Sequence, residues 1–280
     1  MKVVEKIIEV REIVDRWRRQ GLTVGLVPTM GYLHEGHSSL IKKAAEENDR
    51  VVVTIFVNPA QFDKAEDLNN YPVKIEEDLK IIEEIGGDLT FLPTPSEIYP
   101  KGFNTVLEVE ELDKELCGAT RPGHFRGVCT VVNKLFNIVD PARAYFGEKD
   151  YQQLAIIKRM VEDLNIPVEI RGCPIVRDNR GLALSSRNAR LSEEEREKAL
   201  ILSKVLKELR SNVENGEKDT AKLIRCAVES IEKIPEVRVD YFEVVDKDTL
   251  QRVEVADSEV LAAAAVFIGK IRLIDNILVG

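Results

Sequence analysis

Long apolar runs are absent from this chain. The longest, Val260 to Ile268, is nine residues, whereas a helix that crosses a bilayer needs roughly twenty. No membrane role is therefore expected. The N-terminus, Met1-Lys2-Val3-Val4-Glu5-Lys6-Ile7-Ile8, breaks its apolar residues with charge, so it reads as an amphipathic helix and not as a signal peptide. An excess of positive charge is also missing: 40 Lys and Arg stand against 49 Asp and Glu, a formal charge of −9. A protein that binds phosphate backbones normally presents a net basic surface, so no nucleic-acid partner is expected, while a local basic pocket for a small anion stays open. The cysteines Cys117, Cys129, Cys173 and Cys226 form no Cys-x-x-Cys pair. With no secretory signal they read as reduced core residues, and the chain reads as cytoplasmic. What is present is enough to fold: 280 residues, 44 % hydrophobic and 32 % charged, can bury one large core or two ordinary ones and stay soluble.

Histidine is rare as well, and its placement is informative. Of three histidines, His34 and His37 lie three residues apart in Pro28-Thr29-Met30-Gly31-Tyr32-Leu33-His34-Glu35-Gly36-His37-Ser38-Ser39-Leu40. A short β-branched run, Leu22 to Val27, precedes this stretch, and an amphipathic pattern from Ser38 follows it. That order predicts strand, tight loop and helix N-terminus. Gly31 and Gly36 let the backbone turn and come close to a ligand. The first N–H groups of a new helix point outward and suit a phosphate or other anion. An isolated His-x-x-His pair could equally be a zinc site or a plain polar turn. Zinc is the weaker of these, because no cysteine is near and Glu35 lies between the histidines with no evident geometry for the same ion. The form His-x-Gly-His resembles the signature of the nucleotidyltransferase superfamily, in which it follows the first strand of a Rossmann-like sheet and contacts ATP phosphates.

Along the chain, residues 3 to about 19 are predicted to be helical, from apolar positions at Val3, Ile7, Val10, Val14 and Trp17. Arg50 to Val57 reads as a strand covered on both faces and stops at Asn58-Pro59-Ala60-Gln61-Phe62. Val73 to Ile85 reads as a helix with Glu76, Glu77 and Asp78 in its first turns, where the helix dipole favours acids. Asp88 to Leu92, Thr105 to Val109, Ala142 to Phe146 and Val168 to Ile170 read as further strands. This alternation predicts an α/β fold with a mostly parallel sheet, and ligands then bind beyond the carboxyl ends of the strands. His34, His37, Asn58 and Gln61 all follow strand ends. The loop Cys117 to Val128 carries the third histidine, His124, and leads into a helix to about Val139. Gly147-Glu148-Lys149-Asp150 opens another helix, and Leu184-Ser185-Ser186-Arg187-Asn188 places two hydroxyls and a guanidinium in one loop, a set able to hold phosphate oxygens. Ser192 to Glu195 fits a capping box opening a helix to about Val213. A second helix, about Asp219 to Lys233, and β-like runs Arg238 to Val245, Val260 to Ile268 and Lys270 to Asp275 complete a smaller C-terminal α+β domain. The boundary is placed at residue 176, giving domains 1–176 and 177–280.

Five separated motifs now carry one resemblance. Pro28 to Gly31 with His34 to His37, Phe56 to Phe62, Arg121-Pro122-Gly123-His124-Phe125, Phe146 to Leu154 and Ser185 to Asn188 occur in the order found in the pantothenate synthetase family, ATP-dependent ligases that join pantoate to β-alanine. The resemblance implies a Rossmann-like parallel sheet with helices on both faces and a C-terminal domain that lids the active site. It implies ATP binding by Met30, Gly31, Tyr32, Leu33, His34, Glu35, Gly36 and His37, by Gly147, Glu148, Lys149 and Asp150, by the backbone of Val176, and by Leu184, Ser185, Ser186 and Arg187. His34, His37, Lys149 and Arg187 would act on the phosphates, with His37 at the family's catalytic position. Gln61 and Gln153 would hold pantoate, Gln61 lying also at the β-alanine site. Asp78 matches an acidic position near the family's metal, Mg²⁺, and the family's habit implies a homodimer. Leu184 stands where the family commonly has Met, a swap of similar volume. Three other readings share parts of this pattern. They are a nucleotidyltransferase with a phosphate acceptor, an aminoacyl-tRNA synthetase, which the −9 charge counts against, and a non-catalytic nucleotide sensor.

Overall fold

Apolar, β-branched segments pair into a sheet covered on both faces. The structure, a computed structural model, describes residues 1–63 and 65–280. Among these, Lys2–Val4 (β1), Val24–Thr29 (β2), Arg50–Ile55 (β3), Leu89–Phe91 (β4), Arg143–Gly147 (β5) and Glu169–Cys173 (β6) form a parallel sheet in the order β1-β4-β3-β2-β5-β6. Helices Glu35–Glu47 and Ile75–Ile85 pack together against one face, and helices Ile7–Arg19 and His124–Val139 pack together against the other. Val27, Leu40, Ile41, Val51, Val53 and Ile82 share one buried cluster of this sandwich. The Rossmann-like arrangement expected from the sequence is thus present. Strand order reverses beside β2, which pairs with β3 on one side and β5 on the other. The crevice beyond the carboxyl ends at such a reversal is where open α/β sheets take ligands.

Val237–Asp246 (β7), Val260–Ile268 (β8) and Ile271–Val279 (β9) form a separate antiparallel sheet, β7-β8-β9. Helix Glu193–Glu214 packs on β8 and β9, and helix Thr220–Glu232 packs on β7. Ser192 caps the first of these through a capping box with Glu195. This sheet has its own core, including Leu202, Val205, Leu206, Phe242, Ala262, Ala264 and Leu273. The chain divides into two compact units. One comprises Met1–Glu110, Arg121–Glu148 and Gln153–Pro174, and the other comprises Glu111–Thr120, Lys149–Gln152 and Ile175–Gly280.

Several local expectations are corrected. Residues 2–4 form an edge strand, with Val3 opposite Thr90, and the helix begins only at Ile7. Long-range pairing with β4 wins over the helical spacing of Val3. Thr105 to Val109 is not a strand; among the described residues no strand pairs with it, and the Leu107 N–H donates instead to Thr130 Oγ1 at 3.0 Å. The acidic helix starts at Ile75, with Val73 exposed. The last strand runs four residues past Asp275, because every position of β9 to Val279 pairs with β8. None of the four cysteines is joined in a disulfide, and Cys226 is exposed and so is no core residue.

One charge pair inside the second unit is placed against the local hydropathy. Asp275 is 2 % exposed within β9, and Arg177 donates to its two oxygens at 2.6 and 2.8 Å. Removing one member leaves the other charge buried and unpaired, a loss of about 3 kcal/mol or more. Arg177→Met is expected to lower the unfolding free energy by about 3 kcal/mol, and the double change Arg177→Met with Asp275→Leu to recover most of it, as read by denaturant titration. A single variant as stable as the parent would remove the pair from the account of this unit.

Candidate active site

β2 ends at Thr29, whose hydroxyl donates to Thr54 O at 2.7 Å and accepts from Gly31 N at 3.2 Å. The backbone then takes two consecutive left-handed residues, Gly31 at φ +84 and Tyr32 at φ +54. The second is unfavourable for a residue with a Cβ, by about 1–2 kcal/mol. Asp78 holds the turn in place. Its carboxylate, 1 % exposed, accepts from Tyr32 N at 2.8 Å and Leu33 N at 2.7 Å. Burial pushes its pKa above the usual carboxylate range, and the two backbone N–H groups pull the other way without cancelling the shift.

His34 is the N-cap of helix Glu35–Glu47. Its Nδ1 accepts from Gly36 N at 3.1 Å, and His37 Nδ1 accepts from His34 N at 3.4 Å. The two imidazoles make a reciprocal capping box, a task usually given to Ser or Thr with Glu, and their ring centres are 4.1 Å apart. A nitrogen that accepts cannot carry a proton, so each neutral ring keeps its proton on Nε2. Two N–H donors are thereby fixed at a helix start whose dipole already favours anions.

Gln61 ends the short 3-10 helix Pro59–Gln61 that follows β3. Its backbone carbonyl accepts from His124 Nδ1 at 2.7 Å, and the Arg121 guanidinium lies 3.3 Å from His124 Nε2. Since a carbonyl only accepts and a guanidinium only donates, His124 is a neutral ring protonated on Nδ1, opposite to the other two histidines. The Gln61 side chain donates from Nε2 to Met30 Sδ at 3.2 Å, so it reaches the loop after β2. Gly147 and Glu148 follow β5, the strand next to β2. Gln153 is half-buried on helix Tyr151–Asp163. Its neighbour Gln152 is buried and spends its amide on Cys117 N, Leu112 O and Glu115 O.

The other expected residues lie in the second unit. Ser185 caps the 3-10 helix Ser186–Arg190, its hydroxyl accepting from Arg187 N at 3.3 Å. Leu184 N donates to Val176 O at 3.0 Å, which sets those two residues side by side. Asn276 Nδ2 donates to Lys149 O at 2.9 Å. Lys149, Ser185, Asn188 and Asp275 line a cavity of about 10 Å³, the space of a single water.

Sequence reasoning did not find Arg177, Asn276 or Tyr99, the last of which bonds Asn58 at 2.8 Å. Asp275 did carry a signal, since an acid on the inward-facing register of an apolar strand calls for a buried partner. The fold and the edge beyond β2 define an α/β protein with an anion-receptive helix start. Comparison with known proteins then gives the family. The model of the pantoate-beta-alanine ligase family matches residues 2–278. A pantothenate synthetase of Ruminiclostridium cellulolyticum is 56 % identical over 99 % of this chain and 98 % of its own length. A pantothenate synthetase structure from Thermus thermophilus superposes with a TM-score of 0.94 at 45 % identity, covering 99 % of each chain. A pantoate-beta-alanine ligase from Francisella tularensis, complexed with beta-gamma ATP and beta-alanine, superposes with a TM-score of 0.82 at 36 % identity, over 99 % of this chain and 97 % of that one. The chain belongs to the pantoate–β-alanine ligase family.

The Asp78 clamp generates a direct test. Asp78→Asn keeps the size but turns one acceptor into a donor facing a backbone N–H, so one buried donor loses its partner at a cost of about 2 kcal/mol. The variant is expected to melt lower and to bind ATP more weakly, as read by thermal denaturation and ATP titration. Parental stability and affinity would show that the turn holds without the carboxylate.

Proposed function

We propose that this chain joins pantoate to β-alanine in two chemical steps on ATP. The pantoate carboxylate attacks the α-phosphorus, pyrophosphate leaves, and a pantoyl adenylate forms. The amine of β-alanine then attacks the activated carbonyl and AMP leaves. ATP-dependent condensation of these two acids is the family's reaction in pantothenate biosynthesis; the order of steps is our reading. A carboxylate oxygen is a poor leaving group, and adenylation removes that obstacle with no enzyme nucleophile. The work left for the protein is positioning and charge stabilisation.

The observation that carries the reading is the histidine capping box. Because Nδ1 of His34 and of His37 accepts from the backbone, both rings offer Nε2–H donors to phosphate oxygens at a helix N-terminus. We assign His34 and His37 to the phosphates, and Met30 to Gly36 with Gly147 and Glu148 to the nucleotide. Lys149, Ser185, Ser186 and Arg187 are assigned to phosphate charge, Asp150 to the ribose, and Val176 and Leu184 to the base. Gln61 and Gln153 are assigned to pantoate, with Gln61 also at β-alanine. Mg²⁺ accompanies ATP in this reading, and when bound it offsets phosphate charge. Such an ion is held largely by phosphate oxygens and water. Asp78, matched to an acidic position near that metal, accepts one backbone N–H at each oxygen, which leaves each oxygen a further lone pair for the ion or its water. Among the described residues no helix is long and apolar enough to cross a membrane, and we propose a cytoplasmic homodimer.

Product analysis with ATP, Mg²⁺ and pantoate, with and without β-alanine, tests the two steps. AMP release is expected to need both acids, with a pantoyl adenylate trapped when β-alanine is withheld. ATP binding with no turnover would instead indicate a nucleotide sensor. His37→Ala is expected to lower turnover by about 10²-fold or more, the range for losing one preorganised donor. A near-parental rate in the folded variant would remove His37 from the chemistry.

A further inference from the structure

A glutamine amide has an acceptor end and a donor end, and the end that faces a ligand decides what the residue can recognise. Here the acceptor end of Gln61 is engaged by a neighbour. Asn58 Nδ2 donates to Gln61 Oε1 at 2.9 Å and to Gly127 O at 3.1 Å. Asn58 is itself held against turning over. Its Oδ1 accepts from Ala60 N at 3.2 Å and from the Tyr99 hydroxyl at 2.8 Å. An inverted Asn58 would set donor against donor at Ala60 and oxygen against oxygen at Gly127, at a site only 1 % exposed, where mispaired polar groups are not rescued by water.

The packing that brings these groups together is tight. A Cβ on Gly127 would lie 2.3 Å from Ala60 O, so only glycine lets the start of helix His124–Val139 come close enough for its carbonyl to reach Asn58. The Tyr99 ring lies beside Phe56 and Phe103, with ring centres 6.3 and 5.1 Å away, and Lys134 Nζ sits 5.9 Å over it. Burial raises the Tyr99 hydroxyl to about 12, against the opposing pull of its bond to Asn58. It therefore keeps its proton, and remains a donor, throughout the neutral range. At the far end of the chain of bonds, Gln61 Nε2 points at Met30 Sδ at 3.2 Å. A thioether is a weak acceptor, which a ligand oxygen can replace.

We infer that Tyr99 is a positioning residue for acid selection: acting through Asn58, it locks the Gln61 amide so that N–H donors face the bound acid and select an oxygen acceptor. The inference rests on the assignment of Gln61 to pantoate. It adds a residue that touches no substrate and gives Gln61 a fixed polarity.

Steady-state kinetics on four proteins test it: the parent, Tyr99→Phe, Gln61→Ala and the double variant. Tyr99→Phe keeps the ring and its packing and removes only the hydroxyl. Its KM for pantoate is expected to rise about tenfold, the effect of one lost hydrogen bond, with kcat, the KM for ATP and the melting temperature near parental values. Gln61→Ala is expected to raise the pantoate KM at least as much. The double variant should then be no worse than Gln61→Ala alone, because Tyr99 acts through Gln61. A pantoate KM unchanged in Tyr99→Phe but raised in Gln61→Ala would overturn the inference and leave the assignment of Gln61 standing. An unchanged KM in Gln61→Ala would overturn that assignment itself. A Tyr99→Phe variant that loses melting temperature and kcat, and raises both KM values together, would reduce Tyr99 to a packing residue and also overturn the inference.

Discussion

The arrangement beyond β2 depends on one buried carboxylate. Asp78 comes from helix Ile75–Ile85, more than forty residues after the loop it holds, and its two oxygens fix the N–H groups of Tyr32 and Leu33. Without an acceptor there, a left-handed Tyr32 would be unfavourable and the two N–H groups would be buried without partners. With it, the chain enters helix Glu35–Glu47 at an angle that makes His34 the cap. The cap in turn fixes His37, and the pair fixes where their protons sit. Three consecutive consequences follow from one side chain.

Hydrogen-bond direction does much of the remaining work. All three histidines are held in defined tautomers by groups that can only donate or only accept, and the outcome differs. His34 and His37 accept at Nδ1 from backbone N–H groups, while His124 donates from Nδ1 to Gln61 O. The first two present donors suited to an anion, and the third is committed to holding the carbonyl of a neighbouring loop. The same logic separates adjacent glutamines. Gln152 is consumed by the backbone of residues 112–117, and Gln153, one position on, is half-buried.

The second unit solves a different problem. Its three-stranded sheet is too small to cover itself, and helices Glu193–Glu214 and Thr220–Glu232 supply the missing layer. Into this apolar core it accepts one charge pair, Arg177 with Asp275. Asp275 takes both prongs of the guanidinium and the Asn276 N–H, so its lone pairs are well satisfied. Asn276 then holds the Lys149 carbonyl. A strand that reads as purely structural therefore holds the backbone of Lys149, a residue we assign to phosphate charge.

The sequence by itself determined the fold class, the run of strands and helices, and the family. Parallel strands buried on both faces must be continuously apolar, as Arg50 to Val57 is, and separated motifs in a fixed order do not need a structure to be recognised. It also named His34, His37 and Gln61 as polar residues at strand ends. Only the tertiary structure decided what was non-local: that Val3 belongs to a strand, that Thr105 to Val109 finds no strand to pair with among the described residues, and that Asp78 clamps a turn. It also decided that Tyr99 and Asn58 set the polarity of Gln61. The division has a physical reason. Periodicity and motif spacing act along the chain, whereas strand pairing and hydrogen-bond polarity are settled by groups tens of residues away, and these meet only once the core has closed.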